Sequence, residues 1–211
     1  MQFRTYRLAA LSSLCLLGAC AVQERPLPPL TTLSGRQCAA SADTATAAVL
    51  LYKTKDETKQ VVDMADAMPC LKTASGAALY VVYGLPQTDE PYVIGVASTS
   101  RGGTLFAPQV MLLAGDGSVK RTFPGKQMEF RGEGYGVRIP KHGDEAYIVV
   151  ASDPATVGSS TSRINDATQV TYASNGYATY AIHSGTESQD TYIYAHNGRV
   201  TVTVTSLVPP K

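Results

Sequence analysis

The sequence predicts an all-β protein: an antiparallel β-sandwich, jelly-roll or immunoglobulin-like, with one or two short helices. From about residue 77 onward, apolar and polar residues alternate with a period of two, which is typical of antiparallel strands. Turn residues interrupt this alternation at short intervals, and the 211 residues include 18 Gly and 12 Pro. Helix signals are sparse. Many short strands separated by frequent turns favour a sandwich.

The middle of the chain contains several predicted strands. Alternate residues of 92–96 and of 135–139 fall on one face of a strand each. The apolar run 105–113 contains Pro108, which indicates a strand start or an edge strand, and it ends near the hairpin-turn pair Asp116-Gly117. Residues 146–151 are apolar on both faces and are therefore predicted to form a central strand.

The clearest predicted element is a C-terminal hairpin. The alternating segments 191–196 and 199–204 flank Asn197-Gly198, the pair that most favours a two-residue hairpin turn. Pairing the strands around this turn directs Ile193 toward the core and the tyrosines on either side of it outward. The two strands agree on which face is apolar.

Outward tyrosines form the one candidate ligand patch. Tyr192 and Tyr194 are joined by Tyr177 and His183 from a preceding strand predicted over 177–183, whose Ala178, Tyr180 and Ile182 are expected to face inward. Aromatic rings beside hydroxyl groups suit sugar rings and protein interfaces. The alternative is a solvent-facing Tyr/Thr surface, since both residue types have a high strand propensity.

Two segments carry helix signals. Residues 41–51 are rich in Ala and follow a Ser or Asp cap, which predicts a short helix. Asp153-Pro154 combines a capping residue with a first-turn proline, so one or two helical turns are expected after it.

The first 19 residues are predicted to be a lipoprotein signal peptide. Arg4 and Arg7 precede an apolar run that is too short to span a bilayer. The run ends in Leu17-Gly18-Ala19-Cys20, which resembles the lipobox of bacterial lipoproteins, in which Cys20 would be acylated and become the first mature residue. Ordinary signal cleavage at Ala19-Cys20-Ala21 is the alternative. By resemblance to enterobacterial lipoproteins, Ala21 after the cysteine favours the outer membrane, with the protein facing the periplasm.

Residues 20–36 are predicted to be a lipidated, Pro-rich tether, and residues 37–211 a single β-sandwich domain. Proline favours extended backbone, so the tether is expected to be semi-stiff and to hold the domain off the membrane. Cys38 and Cys70 remain as one pair after processing, and in an oxidising periplasm we expect a disulfide between them. A redox-active pair is the alternative, although a C-x-x-C spacing is absent.

The composition and motifs predict a protein that is not an enzyme. Lys and Arg number 18 against 17 Asp and Glu, which excludes a basic nucleic-acid-binding surface. Only three His are present, and a G-x-S-x-G nucleophile motif is missing. His142-Gly143-Asp144-Glu145 contains three groups that could ligate a metal, but it lies between two predicted strands, where such residues form turns. We therefore predict neither catalytic residues, metal ligands nor a cofactor; a hydrolase using His142 or His183 is the enzymatic alternative.

One block of the body has a family resemblance. Phe106-Ala107-Pro108-Gln109-Val110-Met111-Leu112-Leu113 resembles the MalM family of maltose-operon periplasmic proteins. The similarity extends over about residues 75–205, and includes Tyr83-Gly84-Leu85-Pro86 and the segment 147–152. Ala114 stands where the family tends to place Asp. The resemblance implies an exported accessory protein associated with maltodextrin uptake, and it supplies no catalytic residues.

The sequence thus predicts a non-enzymatic, envelope-anchored accessory lipoprotein that contacts the membrane through acyl chains on Cys20. Assistance to maltose or maltodextrin transport, with a carbohydrate as ligand, is the first hypothesis. A structural or assembly lipoprotein that binds an outer-membrane or periplasmic protein is the second.

Overall fold

A computed structural model describes residues 26–174 and 176–209, with the backbone alone for residues 165–170 and 182–188. The regular secondary structure of this part of the chain is strand, apart from one short 3-10 segment. Its strands are β1 (Ala48–Val49), β2 (Glu57–Met64), β3 (Cys70–Thr73), β4 (Gly76–Gly84), β5 (Tyr92–Thr99), β6 (Thr104–Phe106), β7 (Pro108–Ala114), β8 (Val119–Phe123), β9 (Glu129–Arg131), β10 (Gly134–Pro140), β11 (Glu145–Ser152), β12 (Ser160–Ser174), β13 (Thr179–Ala195) and β14 (Gly198–Ser206).

Two large sheets form the body. One has the order β1-β4-β11-β7-β8, with β3 also paired to β4, and the other has the order β2-β14-β5-β10-β9. A third sheet has the order β12-β13-β6. The β1–β4 and β6–β13 pairs are parallel and the remaining pairs are antiparallel. The predicted all-β, sandwich-like fold is confirmed.

The core lies between the two large sheets. Leu79, Val110, Leu112, Ile148 and Val150 of the first sheet pack with residues of the second, and all of them are fully buried. The second sheet contributes Ile94, Val96, Ile139, Val200, Val202 and Val204. Alternate residues of β5 are buried, as its pattern predicts, and β11 lies between β4 and β7 as the predicted central strand.

The predictions for residues 105–117 are confirmed. Pro108 is the first residue of β7, a position where its missing N–H is tolerated. Strands β7 and β8 form an antiparallel hairpin, and the Asp116 carboxylate accepts a hydrogen bond from Ser118 N at 2.9 Å within its turn. Gly117 in that turn has φ +82°, a backbone conformation that favours glycine.

The helix predicted over 41–51 is wrong. The Asp43 carboxylate does accept a hydrogen bond from Ala45 N at 3.0 Å, but it closes a turn instead of starting a helix. The chain then extends as β1 along β4, and Leu50 N donates to Gly84 O at 2.9 Å. Pairing with a neighbouring strand satisfies the backbone and buries Leu50, so tertiary contacts override the helix propensity.

The second helix signal leads to turns. The Asp153 carboxylate accepts from Ala155 N at 3.0 Å, and residues 154–158 form consecutive turns. The one helical segment in the described part of the chain is a 3-10 helix at Gly125–Gln127, where no helix signal was recognised.

The predicted C-terminal hairpin is wrong as well. Strands β13 and β14 do not pair: β13 lies between β12 and β6, and β14 lies between β2 and β5. A type I′ turn needs positive φ at both central residues, and Asn197 does not have it. Gly198, at φ +143°, instead lets the chain pass close to Phe106, whose backbone N lies 3.0 Å from the position of a Cβ on residue 198. The chain crosses from one sheet to another at this point.

The predicted disulfide is present. Cys38 and Cys70 are bonded, with an S–S distance of 2.14 Å. Beside it, Ala39 N donates to Cys70 O and Lys72 N donates to Ala39 O, so the segment before β1 is attached to β3. The disulfide closes the N-terminal part of the domain onto the first large sheet.

Candidate functional site

The three tyrosines of the predicted ligand patch do not form one surface. Tyr177 is 99% exposed, whereas Tyr192 and Tyr194 are 9% and 7% exposed and therefore face inward, not outward. The prediction was wrong because it took the register from a β13–β14 hairpin that does not form. His183 pairs through its backbone with Val170 in β13, and its side chain lies outside the described residues.

Tyr192 and Tyr194 belong to a cluster of aromatic rings beneath the base of the β12–β13 pair. The Tyr135 ring lies 5.3 Å from the Tyr194 ring and 5.0 Å from the Phe130 ring, and Tyr192 lies 6.3 Å from Phe130. The Tyr135 hydroxyl donates to Gly125 O at 3.1 Å, and burial raises the pKa of that hydroxyl above its usual value. The cluster fixes the base of the third sheet on the second large sheet.

Beyond this base, β12 and β13 project as a two-stranded ribbon, which we call the arm (residues 160–195). Its register runs without interruption from the pair Ser160–Ile193 to the pair Ser174–Thr179. At about 3.3 Å per residue the arm is about 45 Å long. Among the described strands, β12 pairs only with β13, and β6 covers only Ile193 to Ala195 of β13. Among the described residues, no further strand flanks either edge of the arm beyond its base, so both edges are open to pairing with a strand of another protein.

Large apolar and aromatic side chains of the arm are exposed. Ile164 is 67%, Tyr172 73% and Tyr180 54% exposed, in addition to Tyr177. Tyr172 lies opposite Ala181 and Tyr180 lies opposite Ala173, which places the two tyrosines on opposite faces of the arm. The inward orientation predicted for Tyr180 is therefore wrong, because this part of β13 has no core beneath it. A two-stranded ribbon is marginally stable alone in water, so the arm is the strongest candidate for an interaction element.

The N-terminal segment 26–36 packs on the domain next to the arm, and we call residues 26–30 the strap. The Asn197 side chain accepts a hydrogen bond from Leu30 N at 2.8 Å and donates to Pro28 O at 2.9 Å. His196 N donates to Leu30 O at 2.8 Å, and the Thr104 hydroxyl donates to Leu27 O. The tether predicted over 20–36 is thus bound to the domain from residue 26 onward.

The remainder of this segment is held in the same way. Leu33 is buried in the core, and the Arg36 guanidinium bonds to Met68 O at 2.8 Å and to Asp66. The sequence offers no local signal for the partners of this segment, which lie between 30 and 169 positions away along the chain.

A buried Ser–His pair lies behind the strap. The Ser152 hydroxyl and His196 Nδ1 are 2.7 Å apart, and Leu79 N donates to Ser152 Oγ at 3.0 Å. Burial lowers the pKa of His196 below its usual value. Ser152 is fully buried and His196 is 4% exposed, so a substrate has no access to the hydroxyl. The pair satisfies buried polar groups, and sequence analysis had assigned it no role.

The segment His142-Gly143-Asp144-Glu145 forms the turn into β11, and its carboxylates are engaged by cations. Glu145 is buried and contacts Arg121 through two bonds of 2.6 and 2.9 Å, while it also accepts from His142 N. Asp144 lies 3.0 Å from the Lys120 ammonium. Among the described residues, no group of three His, Cys, Asp or Glu side chains could hold a metal ion.

A groove of about 330 Å³ lies on the outer face of the first large sheet. Met111, Leu113 and Val149 form its floor, and Gln109, Thr122, Ser41 and Lys72 contribute to its polar rim. Aromatic side chains are absent from its lining within the described residues, so the stacking that favours sugar rings is not available there.

Cys20 and the predicted signal peptide lie outside the described residues. Over the residues that are described, the structure contains no helix of the length and apolarity needed to cross a membrane.

Comparisons with known proteins return no match: no family model, no curated protein and no solved structure is significantly similar to this chain.

Proposed function

We propose that the protein is a non-enzymatic, lipid-anchored accessory lipoprotein of the bacterial envelope, in the outer membrane and facing the periplasm, that binds an envelope protein through the arm. The observation that carries this proposal is the arm itself: a ribbon about 45 Å long, fixed at its base, with unpaired edges and exposed apolar side chains. Unpaired strand edges are templates for pairing with a strand of another protein.

The sequence supports the anchoring part of the proposal. A positively charged start, a short apolar run and Leu17-Gly18-Ala19-Cys20 together are typical of a lipoprotein signal. The Cys38–Cys70 disulfide fits an oxidising compartment such as the periplasm.

Site-specific photocrosslinking in intact cells tests the arm. We expect a photoreactive residue at Ile164 or Tyr172 to give a discrete adduct with one envelope protein, and the same residue at Val119 to give none. Val119 is the matched control because it is 57% exposed and lies on β8, away from the arm. Introducing Ile164→Asp should abolish the adduct formed at Tyr172 without changing the thermal unfolding midpoint. Equal labelling at Val119 and at the arm would refute the proposal.

A role in maltodextrin uptake is a second proposal, supported by the resemblance of residues 106–113 to the MalM family. Phe106, Ala107 and Val110 of that block are completely buried, so the block contributes to the fold, and the resemblance carries the proposed ligand by analogy alone. Calorimetric titration of the Cys20-free soluble domain with maltodextrins tests it. A saturable heat of binding that is unchanged by Tyr177→Ser would mean that the sugar binds elsewhere than at the predicted patch. If no heat of binding is measured, this proposal is refuted.

A further inference from the structure

The strap and the base of the arm meet at β6. Pro26, the first described residue, lies against Gly102, where the position of an added Cβ is 2.9 Å from Pro26 Cβ. One residue on, Gly103 O accepts a hydrogen bond from Ile193 N at 2.8 Å at the base of the arm. The chain therefore enters the domain beside the point from which the arm leaves it.

The strap runs in the same direction as β13. Leu27 O bonds to Thr104 at the start of β6, and Leu30 O bonds to His196, just after the end of β13. Strands β6 and β13 are parallel. The strap, from Leu30 back to Pro26, therefore runs in the same direction as β13 does from Ala195 back toward the tip of the arm. The described end of the strap therefore points toward the side of the domain from which the arm projects.

The lengths of the two segments then restrict the orientation of the arm. Six residues lead from Cys20 to Pro26, and at no more than about 3.5 Å each they span at most about 20 Å. The arm is about 45 Å long. With Cys20 acylated, an arm on the membrane side is too long to stand upright between the domain and the bilayer. It has to be inclined by no more than about 25° to the membrane surface.

We propose that the arm lies along the surface of the membrane that holds the acyl chains, with Tyr177 at its tip in the phospholipid headgroup region. This placement rests on the proposed acylation of Cys20 and specifies where the arm meets its protein partner. Tyr177 is 99% exposed and carries an apolar ring and a polar hydroxyl, the combination found at membrane–water interfaces. The ribbon does not enter the hydrocarbon, since its unpaired edge groups would lose their hydrogen bonds there.

The charges of the arm indicate which lipid chemistry is involved. Arg163 is its one basic residue apart from His183, against the acidic Asp166, Glu187 and Asp190. Attraction to anionic lipids is therefore not the basis of the contact, and we expect it to occur on zwitterionic lipid and to be insensitive to salt.

A single introduced tryptophan tests the placement, because the natural chain has none. Acylated Tyr177→Trp protein, purified from a bacterial host and reconstituted into phosphatidylethanolamine/phosphatidylcholine vesicles, reports the tip of the arm. Acylated Leu207→Trp protein is the control: Leu207 is 53% exposed and bonds to Pro91 O, at the end of β5 opposite to the arm. We expect phosphatidylcholine brominated near the headgroup end to quench the fluorescence of the Tyr177→Trp protein and to leave that of the Leu207→Trp protein unquenched. The less polar surroundings should also shift the emission of the Tyr177→Trp protein to shorter wavelength. Neither effect should change in 0.5 M salt.

The outcomes separate this inference from the proposed function. Mass spectrometry that finds no acyl chains on Cys20 overturns both the anchoring and the placement. Acylated protein whose Tyr177→Trp emission is not quenched overturns the placement only, and leaves an arm that reaches a protein clear of the lipid. Equal quenching of both variants also overturns it, because the whole domain would then lie on the bilayer. Circular dichroism of each variant checks that the fold is retained.

Discussion

The side chain of Asn197 binds the backbone of Leu30, 167 positions away in the chain, at 2.8 Å, and it reaches Pro28 O as well. Asn197→Ala removes both bonds, which join the strap to the domain at the half-buried Leu30 and at Pro28. We expect a loss of about 2–3 kcal/mol in the free energy of unfolding, measured in urea. Trypsin should also cleave faster after Arg36, because the segment before it would be released. Gln60→Ala, the loss of an exposed amide on β2, should change stability by less than about 0.5 kcal/mol, and an equal effect of the two substitutions would contradict the role of Asn197.

The disulfide is expected to make a large contribution to stability. Cys38 and Cys70 are separated by 32 positions, and closing a loop of that length stabilises by about 3–4 kcal/mol in the chain-entropy model. The double substitution Cys38→Ala/Cys70→Ala should lower the free energy of unfolding by that amount. Adding a reductant to the unsubstituted protein should reproduce the change, and should have no effect on the double variant.

Gly136 is required for the close approach of β10 to β5. A Cβ at this position would lie 1.8 Å from Val96 O, and the obstacle is backbone that cannot move aside. We expect Gly136→Ala to cost about 3 kcal/mol or more, or to prevent folding. Gly115→Ala is the control, because no atom lies within 4 Å of a Cβ there. Thermal unfolding of the two variants makes the comparison, and a stable Gly136→Ala protein would show that the register is wrong.

The Arg121–Glu145 pair has a structural role. Glu145 is 3% exposed, so Arg121→Met leaves a buried carboxylate without its cation, at a cost of about 3 kcal/mol. Arg131→Met breaks an ion pair with Glu129 in which both side chains are exposed, and should cost less than about 1 kcal/mol. Urea unfolding of both variants distinguishes the two cases. Similar costs would mean that the burial of Glu145 does not matter.

His196 should make stability dependent on pH. Burial lowers its pKa in the folded protein, so the unfolded chain binds the proton more readily, and stability falls as pH drops below the unfolded value of about 6.5. The free energy of unfolding of His196→Gln should therefore decline less steeply between about pH 7 and pH 5 than that of the unsubstituted protein. Equal slopes would assign the pH dependence to other groups.

Local sequence patterns correctly predicted the strands and turns that depend on residues close together in the chain, or that have only one structural interpretation. The alternation in 92–96, the strand start at Pro108 and the turn at Asp116-Gly117 are all present. The cysteine pair was also predicted correctly, because only two cysteines remained to be joined.

The candidate site was predicted poorly because strand alternation does not say which face is buried. Tyr192 and Tyr194 alternate with Ile193 as predicted, but the rings of Phe130 and Tyr135 lie on the tyrosine side. No strand was predicted over residues 160–174, although Ser160 begins the longest uninterrupted pairing among the described strands. The arm has no core-facing side, so a pattern based on burial could not reveal it.

The sequence by itself determined that this protein is a β-rich chain with one disulfide, because period-two alternation and cysteine number are local properties. Only the tertiary structure determined which strands pair with β13, how the strap is bound and which tyrosines are exposed to solvent. Each of these depends on contacts between residues far apart in the chain, such as Leu30 with Asn197 and Phe106 with Gly198. The free energy of such contacts is set by burial and geometry in the folded state, which the order of residues does not display locally.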